Sequence, residues 1–312
     1  MHSLAWLRRT GMLLLIVFVL LTASLLVVGL TVPKVKNFEV YRTHPTILIG
    51  GRNDFTALNG VTGGNGTKSD PYLIEGWSIA SRQVPAIAIS NTNASVRIRN
   101  VSIVGGGNEP LNDGIVLSHA CNVTMDGVTV DGFRTGISVN SSQTSPSIDI
   151  EVLNCTITSC TNGVWVRNAT GLEINHCMVD NMWQSGLVVE NCSSVQVLDN
   201  EIENFGLMSR SYWSYTPLRL PSAGLSLAYT NDVHVAANSF SGGTYDFEGI
   251  EARKCSNVSA NQNSFDLSQE ISARFDQCIN VAVQNNTLRE EILFSNSTRM
   301  ALTSSLIFSS RS

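Results

Sequence analysis

The sequence predicts an all-β chain wound as a single-stranded right-handed parallel β-helix, a solenoid of about nine to ten coils, preceded by an N-terminal transmembrane helix. Three observations predict the solenoid. A short phrase restarts along the chain, a second alternating phrase follows it at a fairly constant offset, and one column of residues sorts itself when the copies are aligned.

The first phrase is a small residue, usually Gly, then aliphatic, any, and aliphatic or small. Its clearest copies are Gly114-Ile115-Val116-Leu117, Gly136-Ile137-Ser138-Val139, Gly163-Val164-Trp165-Val166, Gly186-Leu187-Val188-Val189, Gly224-Leu225-Ser226-Leu227 and Gly249-Ile250-Glu251-Ala252. Further starts are read at 86, 270 and 301, so the spacing varies while the phrase persists. The second phrase reads aliphatic, x, aliphatic, x, x, ladder residue, x, aliphatic, as in Val96 to Ile103, Ile150 to Ile157 and Val258 to Phe265. Period-two alternation in such short runs means strands with one buried face, and the Gly- and Asn-rich breaks are turns. Strands this short cannot bury their inner faces alone, but coils stacked on one another close a continuous apolar interior. Parallel crossovers are overwhelmingly right-handed, which sets the hand.

The ladder position reads Trp77, Val101, Val128, Cys155, Cys177, Asn200, Asn238, Asn263, Asn286. It is apolar at one end and asparagine at the other, and stacked amides hydrogen-bond to one another in parallel in-register arrays. The same register places Cys155 above Cys177 and Cys255 beside Cys278, a spacing that suits either disulfides or stacked free thiols. Cys121, Cys160 and Cys192 have no evident partner.

At 312 residues, with 43% hydrophobic and 14% charged, the chain can bury one elongated core. A net charge of −5 leaves no basic stripe for phosphates, so nucleic acid is excluded as a partner. Residues 12–30 are an uncharged apolar run flanked by Arg8, Arg9, Lys34 and Lys36, long enough to span a bilayer. A retained signal anchor is preferred to a cleaved signal. The domains are then 1–33, the anchor; 34–71, a linker and N-terminal cap; and 72–312, the solenoid, on the outer side of the plasma membrane. Eleven Asn-x-Ser/Thr tripeptides suit a glycosylated surface protein, but Asn in left-handed turns before Ser/Thr-led strands generates the same tripeptide.

The segment from Thr46-Ile47-Leu48-Ile49-Gly50 through Asn59-Gly60-Val61-Thr62-Gly63-Gly64-Asn65-Gly66 to Asp70-Pro71-Tyr72-Leu73-Ile74-Glu75-Gly76-Trp77 resembles the opening of archaeal surface proteins with right-handed parallel β-helix repeats. These are grouped with NosD-like and carbohydrate-binding/sugar-hydrolysis domains in the pectin lyase-like fold. The resemblance covers roughly residues 44 to 290 and implies architecture more than activity. The copper handling that the NosD-like name implies finds no ligand set, since His119, His176 and His234 fall on different coils.

The x residues of the first phrase point outward. Stacked, they read Val116, Ser138, Trp165, Val188, Ser226, Glu251, Ser272 in one column and Ser118, Asn140, Arg167, Glu190, Ala228, Arg253, Arg274 in the next. Beside them an insertion carries Arg210, Tyr212, Trp213, Tyr215 and Arg219. Aromatic faces with Arg and Glu suit saccharides, so Trp165, Arg167, Glu190, Arg210, Tyr212, Trp213 and Tyr215 are the expected binding residues. Asp246, Glu248 and Glu251, on or beside the following loop, with Arg253 and Arg274, are the candidate catalytic groups, although no polygalacturonase-like motif set is present. No metal or cofactor is expected; calcium enters only if the site is a lyase, where Asp246 and Asp276 lie near the two arginines. The same charges equally suit an exposed ion-pair ladder. The expected function is binding or presentation at surface polysaccharide or glycoprotein. A lyase or hydrolase is the enzymatic alternative, a spacer or adhesin the third, and the oligomeric state is left open.

Overall fold

The computed structural model describes residues 41–107, 111–207, 223–242, 247–267, 271–288, 290–303 and 306–307. The apolar run 12–30 lies outside them, and no described helix is long and apolar enough to cross a membrane. Every pairing between strands is parallel and joins one coil to the next, giving three faces.

The first phrase forms the first face. Its inward column runs Ile47, Ile87, Ile115, Ile137, Val164, Leu187, Leu225, Ile250, Ala273, Ile292, each residue paired with the next. The first half of the second phrase forms the second face, as in Val96–Arg99, Ser147–Leu153 and Ala169–Asn175. Its end forms the third face, eleven strands among the described residues. Strand Ile115–Asp126 runs through from the first face to the second, turning at His119, whose φ is 50°. Burying an aliphatic side chain of this size contributes about 1.5–3 kcal/mol, so these repeated columns are the principal source of stability.

The corners explain the asparagines. Between the second and third faces each coil places one residue in the left-handed region: Gly76, Asn100, Gly127, Asn154, His176, Asp199, Ala237, Gln262, Asn285. The residue after it turns inward, and those residues are the expected ladder from Trp77 to Asn286. Asn168, Asn191 and Asn296 occupy the corner between the first and second faces, while Asn122 and Asn257 start second-face strands, all with positive φ. Backbone geometry thus accounts for eight of the eleven glycosylation tripeptides, at Asn100, Asn122, Asn154, Asn168, Asn191, Asn257, Asn285 and Asn296. Asn168 is also buried.

All seven cysteines are free thiols. They do more than fill space. Cys155 donates its S–H to the carbonyl of Leu153 at 3.2 Å, and Cys177 to that of Val152 at 3.3 Å. In the column of Ala169, Cys192, Thr230, Cys255, Cys278 and Ser297, the thiols and hydroxyls donate alike to the carbonyl two residues back.

Two phrase starts shift. Ala273, not Ile271, stacks on Ile250, so the copy begins at Ser272 rather than 270, with an irregularity between Ile271 and Ala273 against the next strand. The last first-face strand is Glu291–Ser295, whereas Ala301 belongs to the second face, opposite Ala282. Ser272 therefore takes the glycine position, fully buried, and leaves the outward column.

Candidate functional site

A cleft of about 480 Å³ opens where the third face turns into the first. Its wall is Trp165 and Arg167, the outward residues of strand Asn162–Arg167. Arg167 donates from Nε and Nη2 to Glu190 Oε2 at 2.8 and 2.6 Å, and Trp165 Nε1 donates to the same oxygen at 3.3 Å. The guanidinium carbon stands 5.7 Å from the Trp165 ring centroid, within cation–π range. Glu190 thereby fixes both side chains, and three of the expected binding residues form one unit.

The floor was not anticipated. It consists of Asp113, Thr135, Asn162 and Gln184, lining the cleft yet nine-tenths or more buried. Asn162 donates to Gln184 Oε1 at 3.5 Å and accepts the Ser185 N–H at 3.3 Å. On the opposite rim, Arg134 donates from Nε to Asp113 Oδ1 at 2.9 Å, and that bond raises the guanidinium pKa above its ordinary value. A sequence signal existed: the residue before the phrase glycine is polar in Asp113-Gly114, Thr135-Gly136, Asn162-Gly163, Ser185-Gly186 and Glu248-Gly249. All five are buried, because the position sits inside the bend where one face meets the next.

The proposed catalytic group is elsewhere. Glu251 lies three rungs from Trp165 through Val188 and Ser226, about 14 Å along the axis. Val188 and Ser226, expected on an open face, are buried, so the column is not one continuous exposed surface. Glu248 is no loop residue: it starts strand Glu248–Arg253, is 4% exposed, and accepts from Arg274 Nε at 2.9 Å. Arg274 stacks on Glu251, one column away from its expected place, because of the shifted register; Asp276 stacks on Arg253. With Arg253 Nε 3.2 Å from Glu251 Oε1, the signs alternate both along and across the strands. Glu248 and Glu251 thus each have an arginine partner. Arg210, Tyr212, Trp213, Tyr215, Arg219 and Asp246 lie outside the described residues.

Parallel coils on three faces define a β-solenoid that carries a polar-floored lateral cleft. The chain belongs to the family described as right handed beta helix region, whose model matches residues 85–207 and, overlapping, 135–307. No curated protein matches the chain. Among solved structures, the enzymatically active domain of bacteriophage CBA120 tailspike protein 2 is similar with a TM-score of 0.50 at 11% identity, over 84% of this chain and 41% of that one. The A-module of the Azotobacter vinelandii mannuronan C-5 epimerase AlgE6 gives 0.51 at 11%, over 77% and 84%. The periplasmic alginate epimerase AlgG gives 0.51 at 12%, over 85% and 68%. The chain spans about two fifths of the tailspike domain it matches. At such identities the shared property is the fold.

Proposed function

We propose that the cleft beside Trp165 binds a neutral polysaccharide or the glycan of a surface glycoprotein, without cleaving it. The observation that carries this reading is the indole wall over a floor of buried polar side chains: an apolar ring face for the sugar ring, and fixed donors and acceptors for its hydroxyls. Both guanidiniums are already matched, Arg134 by Asp113 and Arg167 by Glu190, which disfavours an anionic sugar. Hydrolysis takes two carboxylates flanking the scissile bond. Among the described lining residues there is one, Asp113, and Arg134 holds it. The likeness of this solenoid to the tailspike and epimerase structures is compatible with either role. The reading also places the solenoid outside the membrane, tethered by the run 12–30.

The test is a glycan array with the wild type and Trp165→Ala, followed by incubation with each glycan bound. A loss of at least tenfold in affinity, about 1.4 kcal/mol, with no new reducing ends, is expected. Release of products would make the cleft an enzyme's. Absence of binding by the wild type would leave the spacer reading.

A further inference from the structure

The second face carries a different cleft, about 450 Å³, on coils that also build the first. Its backbone is a single outward column: Arg97, Thr124, Glu151, Glu173 and Gln196, each paired in register with the next. The rungs are spaced at about 4.8 Å. Glu151 accepts from Thr124 Oγ1 at 2.8 Å, and Glu173 accepts from Asn175 Nδ2 at 3.0 Å. Neither carboxylate has an ion-pair partner among the described residues. Like charges directly opposed on neighbouring strands destabilise a sheet, so the bare protein holds here an arrangement that a cation relieves.

Two further observations point to what fits. Lys68, from the loop that precedes the first second-face strand, already brings an ammonium to the rim, its Nζ 3.7 Å from Asp149 Oδ2. Ser95 also lines the cleft; it is 6% exposed and its hydroxyl makes no hydrogen bond among the described residues. Arg97 stands two rungs from Glu151, with Thr124 between them, so the column is cationic at one end and anionic over the next-but-one pair of rungs. A polar column of constant pitch suits a linear ligand lying along the solenoid axis. Its hydroxyl and amide groups suit a hydroxylated ligand better than a bare polyamine.

We infer that this cleft binds an amino-sugar polysaccharide whose unacetylated ammonium groups lie against Glu151 and Glu173. The site is independent of the Trp165 cleft. Calorimetric titration of the full chain uses three probes: a glucosamine oligosaccharide, its fully N-acetylated counterpart, and spermine. The glucosamine oligomer is expected to bind, the acetylated one at least tenfold more weakly, and Glu151→Gln/Glu173→Gln to lose at least tenfold while melting like the wild type. Trp165→Ala should leave this binding unchanged, which separates it from the first cleft. Equal binding of the acetylated oligomer, an unaffected double variant, or no binding of the glucosamine oligomer overturns the inference. Spermine binding as tightly as the oligomer overturns the assignment to a saccharide.

Discussion

Asn238 Oδ1 accepts two hydrogen bonds from Asn200 on the preceding coil, one from its backbone N–H at 3.0 Å and one from its side-chain amide at 2.9 Å. Asn238 in turn donates to Asn263 Oδ1 at 3.0 Å and to the Val197 carbonyl at 2.8 Å. Cys177 stands one coil before Asn200 and reaches the Val152 carbonyl as Asn200 reaches that of Ile174. The ladder satisfies the polar backbone at a buried corner, and its amides also bond coil to coil.

Asn238→Ala removes the acceptor shared by both Asn200 donors and the amide donor that reaches Val197, Ala236 and Asn263 inside the solenoid. Each buried group left unmatched costs about 1–3 kcal/mol, so a loss of about 3 kcal/mol or more is expected in urea unfolding. A loss below about 1 kcal/mol would mean that water or backbone movement replaces the amide. Because neighbouring amides share bonds, the double variant with Asn263→Ala should lose less than the sum of the two single losses.

Much of this was legible because a solenoid repeats its physics every coil. The ladder from Trp77 to Asn286 follows from aligning the second phrase, and Trp165, Arg167 and Glu190 follow from the first. Register failed at Ile271, an aliphatic residue beside an irregularity, which displaced Arg274 by one column. The cleft floor failed for another reason. Asp113, Thr135 and Asn162 look like turn residues in a one-dimensional pattern, and only the meeting of two faces shows that the turn is an interior.

Gly163, which opens its copy of the first phrase, is required by space. A Cβ on Gly163 would lie 2.5 Å from the Gly186 carbonyl oxygen and 2.6 Å from Val179 Cγ1, inside any real contact. Gly163→Ala therefore forces backbone apart, and overpacking of this kind costs about 1–3 kcal/mol. Thermal melting should record the loss, together with weaker glycan binding, since Asn162 and Trp165 flank the site. An unchanged melting temperature would show that the coils can part at that rung.

Burial pushes the Cys160 thiol up to about 12, and its S–H donates to the Thr158 carbonyl at 3.2 Å. An unfolded thiol ionises near 8.5, so above that pH the unfolded chain releases a proton that the folded chain keeps. Folding stability then falls as pH rises, by about 1.4 kcal/mol per pH unit for this group until about pH 12. At pH 10 the loss from Cys160 is about 2 kcal/mol. Cys160→Ser keeps a donor and removes the titration, so the fall in stability from pH 7 to pH 10 should be smaller by that amount. An identical pH profile in the variant would show that Cys160 reaches water when folded.

Glu190 separates stability from binding. Its pair with Arg167 is partly exposed, with side-chain exposures of 23% and 47%, and such pairs contribute about 0–1 kcal/mol. Glu190→Ala should therefore melt within a degree or two of the wild type. The same change frees Trp165 Nε1 and the Arg167 guanidinium from their shared oxygen, so the cleft wall must be ordered anew by the ligand. Each immobilised side chain costs about 0.5–1.5 kcal/mol on binding, which for two predicts a glycan affinity weaker by about five- to 150-fold. Titration of both proteins with the glycan found on the array measures it. Equal affinities would remove Glu190 from the site and leave Trp165 acting alone.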